Sequence, residues 1–304
     1  MILDAEEFSG LIGTAPSPDA RRFLELSKSS LTYSAVTDPQ KIDALAIIAQ
    51  QAIWDHSRQP LSQEHRGQNW EDCWTWNLDQ FRESPYEASL VPNYYLRHGT
   101  RPLRLRGRFI QPHHSTFQLA FFRALRAHLV ETFVEPHPDA PLYEFGCGSG
   151  HNLFALKRRF GHRQAVIGAD LSPSACTLAN LVGTGGVRFD LLDPEKYKME
   201  VLPESIVMTF GALEQVGTCA QEFINWLIKK RPRLCIHVEP LLEFYDQNDP
   251  LDRLPIQYHV ARKYLKGLVP LLCGMQEVEI VAKRKVRFGD LFNDGYSFIV
   301  WRPK

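Results

Sequence analysis

The sequence predicts an α/β protein: a largely parallel sheet with helices on both faces, preceded by a mainly helical N-terminal extension. Three observations carry this. From Leu142 onward, short apolar runs of strand character alternate with runs of helical period, as successive strand–helix–strand units do. Carboxylates recur at or near the ends of those strands, at Glu144, Asp170, Asp190 and Glu239. The first strand also runs into a turn with glycine at alternate positions, Gly146, Gly148 and Gly150. The extension is placed at 1–108 and the sheet domain at 109–304.

The 304 residues are enough for one large or two modest domains. Hydrophobic content of 44% and charged content of 23% are ordinary for a globular protein. Lys and Arg (35) balance Asp and Glu (35), a net charge of zero that argues against bulk affinity for nucleic acid or an anionic membrane. No apolar run reaches eighteen residues, so no membrane insertion is expected. The start of the chain, Met1-Ile-Leu-Asp-Ala-Glu-Glu7, has neither the basic nor the apolar stretch of a signal peptide. The six cysteines are scattered without a C-x-x-C pair. Disulfides and a structural zinc are therefore not expected, and the reading is a reducing, cytoplasmic setting.

Taken in order, residues 39–55 carry Ile42, Leu45, Ala46, Ile48, Ala49 and Ile53 at helical spacing. Four of the six tryptophans lie between Trp54 and Trp76, with Trp70, Trp74 and Trp76 close together. They form either a small core that packs the extension onto the sheet domain or a lid and wall for an apolar or sugar ring. Arg104, Arg106 and Arg108 then alternate with Leu103, Leu105 and Gly107. On one strand they share a face, as a solvated edge or as a fork for phosphate or carboxylate. His113 and His114 lead into a helix over 117–133, capped by Ser115 or Thr116. Neighbouring histidines on extended chain point opposite ways, a poor arrangement for a metal; His113 is expected in the cleft.

The first sheet strand, Leu142 to Phe145, passes through the glycine turn into a helix over 151–160 with Leu153, Leu156 and Phe160 on one face. A second strand, 164–170, ends in Asp170. Ser172 then caps the next helix, with Pro173 at its first position. Strands over 186–190 and 205–210 follow, then a loop from Gly211 to Val216 and a helix over 219–230. The strand over 233–240 places His237 and Glu239 on one face. Glu239 lies at the carboxyl end, where open α/β sheets place their sites, and His237 reads as core. The acidic loop 241–252 lacks calcium-loop spacing and reads as solvated. A helix over 255–268 carries His259, Arg262, Lys263 and Tyr264. A hairpin of 278–288 and 296–301 ends the chain.

The glycine pattern separates two cofactor classes. A dinucleotide turn reads G-x-G-x-x-G; here it is G-x-G-x-G, with Glu144 two residues ahead. The stretch Glu144-Phe-Gly-Cys-Gly-Ser-Gly150 resembles motif I of the class I S-adenosylmethionine (SAM) methyltransferases, E/D-x-G-x-G-x-G. The resemblance covers about 109–304 and implies a Rossmann-like seven-stranded sheet with an antiparallel terminal strand. It implies SAM as cofactor, with Glu144 at its ammonium end and Gly146, Cys147, Gly148 and Gly150 against its nucleoside. Asp170 with Leu171 would take the ribose, and Asp190 with Leu191 the adenine, with Asp193 a near competitor. Gly211 opens the loop after the fourth strand. Late segments, Tyr258 to Leu265 and Gly295 to Pro303, look like those of bacterial SAM methyltransferases of unassigned substrate.

The function this implies is methyl transfer to an oxygen or nitrogen of a small molecule: a sugar, a glycan or a natural-product intermediate. His113, Arg262 and Tyr264 are the expected acceptor contacts. The candidate bases are His259 first, then Glu239, then His113. Phe210-Gly-Ala-Leu213 stands where an N/D-P-P-Y/F tetrad would mark amino methylation of adenine or glutamine, and no cysteine motif of the cytosine-5 enzymes is present. No nucleic-acid partner and no metal are expected, and oligomeric state is left open. The alternatives are a protein or peptide acceptor, a non-catalytic SAM-binding regulatory protein, and an NAD(P)-dependent oxidoreductase, which the glycine spacing disfavours.

Overall fold

The structure is a computed structural model that describes residues 1–57, 63–92, 95, 100–217 and 220–304. Side chains of 51–57, with Ile53 and Trp54, and of 63–66 lie outside the description, as does Cys219. The strands are β1 (Tyr33–Ala35), β2 (Leu103–Leu105), β3 (Arg108–Pro112), β4 (Leu142–Phe145), β5 (Val166–Asp170), β6 (Gly185–Arg188), β7 (Ile206–Phe210), β8 (Leu234–Val238), β9 (Val278–Arg284), β10 (Phe288–Gly289) and β11 (Phe298–Pro303). The helices are α1 (Ala5–Ile12), α2 (Pro18–Leu26), α3 (Asp38–Ser57), α4 (Gln63–Glu83), α5 (Phe117–Leu129), α6 (His151–Phe160), α7 (Pro173–Leu181), α8 (Ala220–Lys230), α9 (Pro250–Arg262) and α10 (Leu268–Gly274).

The main sheet has seven strands in the order β6-β5-β4-β7-β8-β11-β9. β6, β5, β4, β7 and β8 run parallel. β11 runs antiparallel to both of its neighbours, so the reversed strand sits between β8 and β9. This is the Rossmann-like sheet the resemblance implied. Every residue of β4 and of β8 is buried, as expected for strands covered on both faces. One face packs Leu153, Leu156, Phe121 and Leu125. On the other, Phe145, Phe189, Phe223 and Trp226 form an aromatic core, with Phe145 and Phe189 edge to face at 4.7 Å.

The N-terminal extension is mainly helical, as expected, through α1 to α4, and a second, antiparallel sheet of order β1-β3-β2-β10 joins its two short strands to β3 and β10. This sheet corrects the arginine strand. Arg106 and Gly107 both have positive φ (52° and 74°) and form a two-residue turn between β2 and β3, the backbone that tight hairpins favour. The three arginines therefore share no face. Arg104 is fully buried between Asp294 (3.3 Å) and Asp252 (3.5 Å). Arg106 donates to the Glu7 carbonyl (3.3 Å), and Arg108 is exposed. Asp252 also pairs with Lys285 (3.2 Å) and Arg287 (3.4 Å), so this acid of the 241–252 loop is buried and charge-compensated, not solvated.

The chain leaves the main sheet after Arg284, and Phe288–Gly289 pairs with β2 instead, which splits the expected 278–288 strand. Phe8 and Leu11 share a core with Phe121 and Phe288, and residue 108 is the first of β3. The helix expected over 255–268 begins earlier, at Pro250. Asp249 caps it by accepting from the Leu251 amide (2.9 Å), and a proline at the first position suits a helix start. It ends at Arg262, with Lys263 in the left-handed region.

Candidate active site

The carboxyl ends of β4, β5 and β7 and the stretch after β6 open into one cavity of about 1180 Å³. The glycine turn forms its floor. Gly146, Gly148 and Gly150 have φ of 68°, 52° and 74°, which side-chain-bearing residues rarely adopt. Space is tight as well. A Cβ on Gly146 would lie 2.3 Å from the Ala212 Cβ, and one on Gly148 would lie 2.8 Å from the Trp74 ring.

Glu144, Asp170 and Asp190 all line this cavity, with Cys147, Leu171, Leu191 and Gly211. Glu144 is almost fully buried. One oxygen accepts from Asn152 Nδ2 (2.7 Å), and Arg126 Nη1 donates to Asn152 Oδ1 (3.1 Å), which fixes the amide so that its NH2 faces the acid. The other oxygen has no hydrogen-bond partner. Burial pushes the Glu144 carboxyl up to about 8. Asp170 accepts from the Gly148 amide (2.9 Å) and the Ser172 amide (2.9 Å), tying the turn to the start of α7. Burial raises its carboxyl too. Asp190 accepts from the Leu192 amide (3.0 Å) and pairs with Lys196 Nζ (3.1 Å). Asp193 is not among the lining residues.

The extension supplies a wall. Trp70 and Trp74 of α4 stack at 5.3 Å and line the cavity. Glu71 between them accepts from the hydroxyls of Ser172 (2.5 Å) and Ser174 (2.6 Å) at the N-terminus of α7. Burial pushes the Glu71 carboxyl up, but those bonds outweigh it and hold it below the usual range.

Of the expected acceptor contacts, Arg262 and Tyr264 line the cavity. His113 does not: it is exposed, with its amide bound to the Thr32 carbonyl (3.0 Å). His114, the next residue in the bend that follows β3, takes the cavity position. The two first-choice bases are also displaced. His259 is buried among Tyr245, Tyr258 and Tyr264, outside the lining, and burial lowers its imidazole to about 4. Glu239 is fully buried and accepts from Thr209 Oγ1 (2.8 Å) and the amides of Ala212 (3.2 Å), Leu213 (3.1 Å) and Glu214 (3.1 Å). It holds the loop after β7 and does not reach the cavity. His237 is fully buried, its Nδ1 2.9 Å from Thr209 Oγ1, and burial takes it down to about 3.

Two carboxyls do reach the cavity in that region: Asp290, which accepts from the Phe292 (2.7 Å) and Asn293 (2.8 Å) amides, and Glu214, with Tyr258 and Phe292 nearby in the lining. For Glu214, its position just past the carboxyl end of β7 was the available signal. Asn152 and Arg126, which orient Glu144, carry no such signal, because their contacts join α5 and α6 across the core. Among the described residues no group of three or more His, Cys, Asp or Glu is arranged to hold a metal ion.

No protein-family model matches the chain, and no curated protein matches it. Similar solved structures include the plantazolicin methyltransferase BpumL in complex with a pentazolic analogue and SAH, at 12% identity over 78% of this chain and 99% of that one, with a TM-score of 0.42. An O-methyltransferase from Bacillus cereus in complex with SAH is similar at 16% identity over 58% and 79%, with a TM-score of 0.39. A Rhodobacter sphaeroides structure described as a zinc-dependent alcohol dehydrogenase is similar at 12% identity over 59% and 89%, with a TM-score of 0.40. At this identity and overlap the likenesses do not choose between cofactor classes; that choice rests on the site's own residues.

Proposed function

We propose that this protein is a SAM-dependent methyltransferase that acts on an oxygen or nitrogen of a small molecule. One observation carries the reading: Glu144, Asp170 and Asp190, at or just past the ends of three successive strands of the main sheet, line a single hollow around a positive-φ glycine turn. The residues fit the cofactor. The partnerless buried oxygen of Glu144 suits an ammonium group. Asp170 retains lone pairs for ribose hydroxyls after its two amide bonds. Asp190 with Leu191 would flank the adenine. The turn offers bare backbone at Gly146 and Gly148, where a Cβ would collide with Ala212 and Trp74, and it lacks the third-glycine spacing of a pyrophosphate site.

Bound there, SAM supplies an electrophilic methyl group. What the chain does is hold, orient and exclude water. The cavity, at about 1180 Å³, exceeds the roughly 300–1,000 Å³ of a typical ligand pocket, which leaves room for an acceptor beside the cofactor. Arg262, Tyr264 and His114 would contact that acceptor. Residues 1–108, through Trp70 and Trp74, would form the lid over a SAM-binding body of 109–304. The test is calorimetric titration with SAM and, separately, with NADPH, followed by transfer from methyl-labelled SAM to a low-molecular-weight cell extract. SAM binding without NADPH binding, with label in the extract, supports the reading; NADPH binding without SAM binding contradicts it.

A further inference from the structure

We propose that Glu214 is the group that takes the acceptor's proton, and that Glu239 is its positioning residue. This rests on the methyl-transfer reading and adds the residue the sequence did not single out. Glu214 lies in the short 3-10 turn after β7, at the carboxyl end of the sheet, and lines the acceptor side of the cavity. Its Oε1 accepts from Gln215 Nε2 (2.7 Å). The turn is held from below: Glu239 accepts from three consecutive amides, those of Ala212, Leu213 and Glu214, and from the Thr209 hydroxyl. This carboxylate grip places the Glu214 backbone and leaves its side chain to the cavity.

The charged and titratable groups around Glu214 come from every element that packs on it. They are Glu239 at the end of β8, Asp290 after β10, Arg262 of α9 and, within electrostatic reach, Tyr258 and Tyr264. Burial first, then the like charge of Glu239 and, less, that of Asp290, raise the Glu214 carboxyl to about 8, against the Gln215 hydrogen bond and the weaker pull of Arg262. A base works best with a pKa near the working pH. The walls on this side are flat and aromatic: Tyr258 stacks on Phe292 at 4.9 Å, and Tyr264 stands edge-on to Tyr258 at 5.9 Å. They suit an acceptor that presents its hydroxyl or amine beside a planar, largely apolar body.

The step balances as follows. The acceptor's O–H or N–H proton passes to a Glu214 oxygen. The electron pair left on the acceptor atom forms the bond to the methyl carbon, and the pair of the breaking carbon–sulfur bond stays on sulfur, leaving a neutral thioether. Glu214 then returns its proton to solvent. No oxidant or metal enters.

The experiment compares wild type, Glu214→Gln and Glu239→Gln on three readouts, with amide hydrogen exchange as a control. SAM affinity is read by calorimetry. Carboxyl titration of the cofactor-free protein is followed by carbon-13 NMR. Transfer from methyl-labelled SAM to a low-molecular-weight cell extract is followed against pH. Glu214→Gln should bind SAM within about twofold of wild type and lose about 100-fold or more of transfer, the usual contribution of a general base. Its raised titration should vanish from the spectrum. Glu239→Gln should shift both that titration and the rising limb of the pH profile to lower pH while amide hydrogen exchange of Ala212 to Glu214 stays as in wild type, since loosening of the loop would quicken that exchange. Transfer by Glu214→Gln within threefold of wild type overturns the proposal. If wild type binds SAM but labels nothing, the NMR decides: a Glu214 titration at the ordinary carboxylate value, or one indifferent to Glu239→Gln, overturns it, and a raised, Glu239-linked one supports it. Failure of wild type to bind SAM contradicts the methyl-transfer reading, and this proposal with it.

Discussion

Glu144 shows how one buried side chain can report on cofactor chemistry. With its carboxyl raised to about 8, it is mostly protonated at pH 7 in the ligand-free protein. An ammonium beside its partnerless oxygen would favour the charged form, so SAM binding at pH 7 should release a proton. Calorimetry in two buffers of different ionisation enthalpy measures that release, and Glu144→Gln should abolish it. Asp170→Ala should weaken SAM binding about 10- to 100-fold, roughly 1.4–2.7 kcal/mol, as loss of a charge-assisted hydrogen-bond pair does; unchanged affinity would reject the ribose role. The sequence made these acids visible because each stands at or just past a strand end. His259 and Glu239, the first and second candidate bases, are both buried outside the cavity. The reason is tertiary: the loop amides that occupy Glu239 come from 25 to 27 residues earlier, and Tyr245 packs against His259 of α9 from outside that helix. The alternation expected for His113 and His114 does not apply, because the strand pairing ends at Pro112 and the chain bends through both histidines, leaving only His114 in the cavity lining.

At the scale of elements, the glycine turn and α4 depend on each other. Gly148 has room for no side chain because Trp74 lies against it, and α4 is fastened to α7 by Glu71. Gly148→Val should therefore abolish SAM binding while the circular dichroism of the fold is kept; normal binding would mean that the turn does not approach the ligand. Glu71→Ala removes the acceptor for two hydroxyls at a helix start, a loss of about 1–3 kcal/mol of local docking. Hydrogen exchange should quicken in 67–83 and stay unchanged in β4 and β5. Equal quickening in both would show that α4 is not a separate unit. The parallel strands were legible as apolar runs between turn signals. The second sheet was not, because its strands have three, three, five and two residues, too few for alternation to stand out. Arg106-Gly107 hid a hairpin turn inside what reads as a continuous alternating run.

For the whole molecule, the buried titratable groups set an uneven pH dependence. Glu144 and Glu214 are raised to about 8 and Glu239 to about 7. A raised carboxyl stabilises the fold fully below its unfolded value and loses that contribution as pH rises through the folded one. His151 and His259, lowered to about 4, and His237, lowered to about 3, act oppositely: their contribution is lost as pH falls below the ordinary histidine value. Between about pH 4.5 and 6.5 the two sets offset each other, and above that only the carboxyl loss remains. The urea midpoint of the ligand-free protein should therefore fall between pH 6.5 and 8.5, and SAM should restore part of the loss by stabilising ionised Glu144. A midpoint that rises over that interval would mean these acids are solvated.

The central claim, that three strand-end acids and a glycine turn hold a sulfonium nucleoside, is tested most directly by one calorimetric series at pH 7. SAM and NADPH are titrated into wild type and Glu144→Gln in two buffers. The account predicts that wild type binds SAM with proton release, that Glu144→Gln binds it more weakly without release, and that neither binds NADPH. Binding of NADPH, or SAM binding indifferent to Glu144→Gln, would contradict it.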